Sequence, residues 1–166
     1  HLLTHGLTHR FDGALYPGLP SWLLEGKAVW TGGSFGSSHD ANFVDNHVSF
    51  GTVEGAWIDG FGGQLKLREL IEGELEDYRD NYTAGYALYV YLKLYQEPEG
   101  NYVFAERLLK FMEGAKNNNK KPLAWFVKNF ADGEAGRPAD FAKFSEGFTT
   151  FMSGFYWDDR APWTKR

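Results

Sequence analysis

Two histidines four residues apart, His5 and His9 in the run His5-Gly6-Leu7-Thr8-His9, are the residues of this chain whose types and spacing most clearly could do chemistry. On an α-helix, residues i and i+4 stand about 6 Å apart along the axis and on nearly one face. Imidazoles so placed can each direct a ring nitrogen at one divalent cation about 2.0–2.1 Å away, as in zinc sites. A third ligand must come from elsewhere, and Glu25 in Trp22-Leu23-Leu24-Glu25-Gly26 is a natural supplier. Three protein ligands leave a fourth position open, which distinguishes a catalytic zinc from a structural one. His1 and His5 share the same spacing, so the set His1, His5 and Glu25 stands as an alternative register.

These side chains need two neighbouring helices. Leu2, Leu3, Leu7, Phe11 and Leu15 recur near the helical period and predict a helix from residue 1 to about 15. Pro17-Gly18-Leu19-Pro20 ends it and turns the chain back. Ser21 is placed to cap a second helix from Trp22 to about Trp30. Residues 31 to about 63, rich in Gly, Ser, Asn and Asp, read as a long irregular excursion. Beyond it the pattern is helical. Leu65, Leu67, Leu70 and Ile71 mark a short helix, and a long one follows Asn81 with Ala84, Leu88, Tyr91, Leu92 and Tyr95 inward. Val103, Leu108, Phe111 and Met112 mark another, and Pro122 opens a helix carrying Leu123, Phe126, Val127 and Phe130. Phe141, Phe144, Phe148, Phe151 and Phe155 form one stripe on a last helix, read as core packing. The expected fold is a single, mainly α domain spanning the whole chain.

With these residues on the page, the segment THGLTHRFDGALYPGLPSWLLEGKAVW resembles the peptidase MA-like gluzincins. Their pattern is HExxH on one helix, a stretch ending in Leu-Pro-x-Trp, then Trp-Leu-x-Glu-Gly-x-Ala with an aromatic soon after. This chain has Leu19-Pro20-Ser21-Trp22-Leu23-Leu24-Glu25-Gly26-Lys27-Ala28, then Trp30. The later run NYTAGYALYVYLKLY, residues 81–95, is similar to the family's downstream helix. The likeness extends over most of the chain, although only its first 30 residues or so carry the diagnostic motifs. It implies the helical C-terminal half of a gluzincin-like zinc metallopeptidase, with zinc on His5, His9 and Glu25 and a peptide or protein as substrate or ligand. It also implies a β-rich half preceding His1, so the chain, which begins at His1 and not at Met, is read as a fragment. By the same analogy the protein belongs to a bacterial envelope or is secreted. Tyr82 or Tyr86 would stabilise an oxyanion, as a Tyr or His does opposite the zinc in gluzincins.

The chain departs from the pattern at the decisive position. In an HExxH enzyme the Glu beside the first His shuttles the proton from the attacking water to the leaving amine. Here that position is Gly6, which has no proton acceptor and costs the helix about 1 kcal/mol relative to Ala. In the alternative register the position is Leu2, again without a carboxylate. Apolar residues preceding His5 and the Thr8-His9 dipeptide favour the first register. General acid–base catalysis supplies about 10²- to 10⁴-fold in rate, so the expectation is a retained zinc site with little peptide hydrolysis. Asp12, Glu54 and Glu72 are carboxylates that nothing in the sequence places near the metal. Two rival readings are an active metallohydrolase whose base comes from elsewhere, and a non-catalytic helical interaction module.

Composition bounds the remaining classes. The 166 residues include 14 Phe, 9 Tyr and 6 Trp, enough for a packed core and unlike a disordered segment. A net charge of -5 and the lack of a basic stripe argue against nucleic acid as a partner. With no cysteine, neither disulfides nor thiolate metal sites arise. No apolar run reaches the roughly 18 residues of a membrane span. His39, Asp40, Asp45 and His47 read as solvated loop residues, and Thr31-Gly32-Gly33-Ser34-Phe35-Gly36 reads as a flexible turn, because no Gly-Lys-Ser/Thr follows it.

Overall fold

A computed structural model describes residues 2–34, 66–75 and 78–153. Among these residues the chain is helical throughout, with seven helices and no strand: α1 Leu2–Leu15, α2 Ser21–Ser34, α3 Leu67–Glu72, α4 Tyr78–Leu94, α5 Ala105–Asn118, α6 Pro122–Phe130 and α7 Phe141–Ser153. The mainly α expectation is therefore met. No helix of the described residues is long and apolar enough to cross a membrane.

α4 is the central element. Every residue from Ala84 to Leu92 is buried, which marks a helix enclosed on all sides and not an amphipathic surface one. α2 runs along it, and α3, α5 and α7 pack against it. The fully buried ring of Tyr91 lies 5.0 to 5.4 Å, centre to centre, from those of Tyr95, Phe104, Phe144, Phe148 and Phe151. Tilted and edge-on ring pairs at such separations add about 0.5–1.5 kcal/mol each beyond burial of area. Phe111 of α5 and Phe126 of α6 continue the stack to Trp22 of α2, 5.9 Å from each. The Trp of the Pro-x-Trp run is thus an anchor that ties α2 into the aromatic core.

α2 and α4 cross where both lack a side chain. A Cβ on Gly26 would run into the carbonyl of Gly85, and one on Gly85 into the carbonyl of Trp22. The small residues let the two backbones touch, and this contact fixes the height of Glu25, the residue before Gly26. The turn from α1 into α2 is equally constrained. Gly18 takes a φ of 86°, a left-handed value that favours glycine, and a Cβ there would press on Lys116 of α5. The Pro20 carbonyl accepts the N–H groups of Leu23 and Leu24 at 3.0 and 3.1 Å, so the helix starts at Ser21 itself instead of being capped by it.

Other boundaries shift for local reasons. α2 continues through Thr31, Gly32 and Gly33 to Ser34, past the expected end near Trp30, so the supposed flexible turn begins inside a helix. The Thr31 hydroxyl donates back to the Lys27 carbonyl at 2.8 Å and Gly32 is buried, so side-chain bonding and packing outweigh poor helix propensity. α4 starts at Tyr78, ahead of Asn81, and Val103 precedes α5. His1, Leu65, Phe155, the residues from Phe35 to Gly63 and the side chains His39, Asp40, Asp45, His47 and Glu54 lie outside the described residues.

α1 forms as the period predicts, and its apolar stripe faces outward: Leu3, Leu7, Phe11 and Leu15 are each more than half exposed. The inward face carries His5, His9 and Asp12, with the half-buried Tyr16 just past the helix end. The helix is amphipathic with its polar side in, because that side meets charged and polar groups on α2.

Candidate metal centre

His5 and His9 of α1 converge with Glu25 of α2. The two imidazole Nε2 atoms stand 3.0 Å apart. His9 Nε2 lies 3.4 Å from Glu25 Oε1, and His5 Nε2 lies 3.5 Å from Glu25 Oε2. Among the described residues this is the group of His and acidic side chains whose ligand atoms gather around a single point. Tetrahedral bonds of about 2.0–2.1 Å to a common ion would set ligand atoms roughly 3.3–3.4 Å apart. The two imidazole–carboxylate separations, each to a different Glu25 oxygen, are close to this, and the Nε2 pair is somewhat closer.

Hydrogen bonding within the chain accounts for only part of this cluster, since the two Nε2 atoms are at hydrogen-bond distance of each other while one carboxylate oxygen is left over. Glu25 is 9% exposed, and its Oε2 is buried with no hydrogen-bond partner. Its distances to the two imidazoles exceed the roughly 2.7–2.9 Å of a charge-assisted hydrogen bond. A buried carboxylate needs a positive partner, and two ring nitrogens turned toward each other leave one neutral imidazole as acceptor only. One divalent cation would satisfy the carboxylate and both lone pairs together. The donor set, two nitrogens and a carboxylate, is that of a zinc site with an open position.

The electrostatics point the same way. Burial holds the His5 imidazole below its ordinary value and the charge of His9 lowers it further, against the opposing pull of Glu25 and of the Ala28 backbone. A neutral imidazole is the form that binds metal. His5 Nδ1 is buried without a hydrogen bond of good geometry, and the Ala28 backbone, one turn beyond Glu25, is the polar group acting on that ring.

The structure separates the two candidate tyrosines. Tyr82 of α4 places its ring 5.7 Å from that of His5, and burial followed by the charge of Glu25 raises its pKa, so it stays a neutral phenol at the edge of the cluster. Tyr86, one turn on, is 2% exposed and belongs to the core. Gly6 is exposed, and a Cβ built there meets nothing within 4 Å, so this position offers no proton acceptor and has room for a side chain. Of the carboxylates considered as replacement bases, Asp12 is held by Lys27 at 2.6 Å, and Glu72 lies on α3 at 3.9 Å from Arg68.

Lys27 was not singled out by its sequence context. The available signal is positional for Asp12 alone, which lies three residues beyond His9 and shares its helix face. Lys27, two residues beyond Glu25, does not share that residue's face. No protein-family model, curated protein or solved structure matches the chain.

Proposed function

We propose that this chain is a gluzincin-like metallopeptidase domain that binds zinc through His5, His9 and Glu25 and has lost efficient peptide hydrolysis with its general base. The observation that carries the reading is the convergence, within 3.5 Å, of two Nε2 atoms and a buried carboxylate whose Oε2 has no hydrogen-bond partner. The Leu-Pro-x-Trp-Leu-x-Glu-Gly run supports it, and the architecture gives those residues physical work: Trp22 anchors α2, and Gly26 admits α4 beside Glu25.

When bound, zinc would supply Lewis-acid polarisation of a carbonyl or a water. The chain's own residues contribute unequally around that chemistry. His5, His9 and Glu25 orient and charge-balance the centre. Tyr82 remains protonated and can donate a hydrogen bond to an oxyanion. Gly6 supplies nothing that could take up or return a proton, and Asp12, the nearest carboxylate along α1, is neutralised by Lys27. A peptide would be bound and polarised but its amine leaving group would go unprotonated.

The test has two parts. Protein purified without chelator should carry about one zinc per chain, and His9→Ala and Glu25→Gln should abolish it. A folded wild type that takes up no zinc, or a His9→Ala variant that retains it, would end the metal reading. In a peptidase assay Gly6→Glu should exceed the wild type by up to about 10²- to 10⁴-fold. If the wild type cleaves peptides at a rate that Gly6→Glu does not improve, the lost-base reading fails and an active hydrolase with another base takes its place.

A further inference from the structure

α1 is held against α2 in an unusual way. Among the α1 residues whose side chains are described Asp12 alone is buried, at 0% exposure, while Leu3, Leu7, Phe11 and Leu15 are each more than half exposed. A helix seated by apolar contact can rotate or slide by fractions of an ångström at little cost, because such contact is non-directional. A metal centre has no such latitude, since ligand distances must hold to about 0.2 Å. Something directional must set the rotation and height of α1 before His5 and His9 can face Glu25.

We propose that the Asp12–Lys27 ion pair is that device, a positioning pair for the metal centre. This rests on the metal-binding reading above. Lys27 Nζ donates to Asp12 Oδ1 at 2.6 Å, and the ring of Tyr16, the residue just past the end of α1, lies 5.9 Å from the same ammonium, so the end of α1 and the turn after it both bear on one residue of α2. Asp12 is one turn beyond His9 on the same face, about 4.5 Å along the axis, and Lys27 is about 3 Å along α2 from Glu25. The pair and the ligands thus tie together the same two helices, and a rotation or slide of α1 that disturbs one is carried to the other through rigid helix backbone. Buried charge pairs are best attested in this role of fixing register, and seldom as net sources of stability. The second carboxylate oxygen, Asp12 Oδ2, is buried without a partner, so the pair is not optimised for stability alone.

The experiment compares zinc affinity and the cobalt(II) absorption spectrum, which reports ligand geometry, in the wild type and in folded variants. Asp12→Leu combined with Lys27→Met replaces the pair by apolar side chains and removes its directionality without leaving a lone buried charge. Asp12→Asn keeps the shape and an acceptor oxygen, which guards against a double variant that does not fold. Lys27→Arg keeps the charge and the donor. The double variant should bind zinc about 10- to 100-fold more weakly and shift the cobalt bands, as loss of groups supporting metal ligands does elsewhere. Asp12→Asn should fall between it and the wild type, and Lys27→Arg should keep most of the affinity and the spectrum. Unchanged affinity and spectrum in the double variant or in Asp12→Asn, even with a lowered melting temperature, would overturn the positioning role while leaving the metal site standing. A wild type that binds neither ion would overturn both.

Discussion

Around Tyr91 the molecule is held by ring packing, whereas α1 meets α2 through imidazoles, two carboxylates and one ammonium. The two regions share α2, which sends Trp22 into the aromatic stack and Glu25 and Lys27 toward α1. Ring packing is rich in energy and tolerant of detail: volume-conserving apolar exchanges cost less than about 1.5 kcal/mol. The polar layer is poor in net energy and intolerant, because each group needs a partner at a set distance and angle. The difference teaches a division of labour, in which the core makes α2 a rigid support and the polar layer uses that support to hold a geometry. Gly26 is where the two meet.

The largest effect should come from the core. Phe126→Ala removes a fully buried ring that touches Trp22, Phe111, Phe130 and Phe144, and should cost about 3–5 kcal/mol, read as a lowered denaturant midpoint. Any loss of zinc binding in that variant should follow the unfolded fraction alone. If the folded fraction binds zinc more weakly, the core and the polar layer are coupled and not separable.

Next comes Gly26→Ala. Its new methyl group collides with the Gly85 backbone and must push α2 and α4 apart, at about 1–3 kcal/mol. Because Glu25 is adjacent, zinc affinity should fall as well, more than the stability loss explains. Calorimetric zinc titration of the folded variant measures this. Wild-type affinity there would show that Glu25 is not placed by the helix crossing.

Acid should act on the polar layer and spare the core. Burial and then His9 hold His5 below its ordinary value of 6.5, so the unfolded chain takes up a proton at higher pH than the folded one. The contribution of His5 to stability is therefore complete above pH 6.5 and is lost as the pH falls through that value toward the lower folded one. Urea midpoints measured from about pH 8 to 5 should drop in the wild type and run flatter in His5→Gln. Identical slopes would remove His5 from the account.

The smallest effect tests the open side of the site. Gly6→Ala places a methyl group where nothing lies within 4 Å and should stabilise the protein by about 0.5–1 kcal/mol with zinc affinity unchanged. A thermal shift and one zinc titration suffice. A destabilised variant would mean that the glycine is needed for backbone reasons.

The sequence by itself determined the helical elements, because the 3.6-residue period of Phe144, Phe148 and Phe151, the Pro122 helix start and the Pro17–Pro20 reversal are local signals. It also nominated His5, His9 and Glu25, since i, i+4 histidines and a Glu-Gly on the next helix can be read without coordinates. Only the tertiary structure decided which side of α1 turns inward. A period reports that a helix has two unlike faces and is silent on which one meets the protein, and here the stripe of Leu3, Leu7, Phe11 and Leu15 is the exposed one. The placement of Tyr82 beside His5, the capture of Asp12 by Lys27 and the crowding at Gly26 likewise depend on residues far apart in the chain. Local propensity encodes elements, while the rotation of one element against another is a sum of non-local contacts that exists only once the chain is packed.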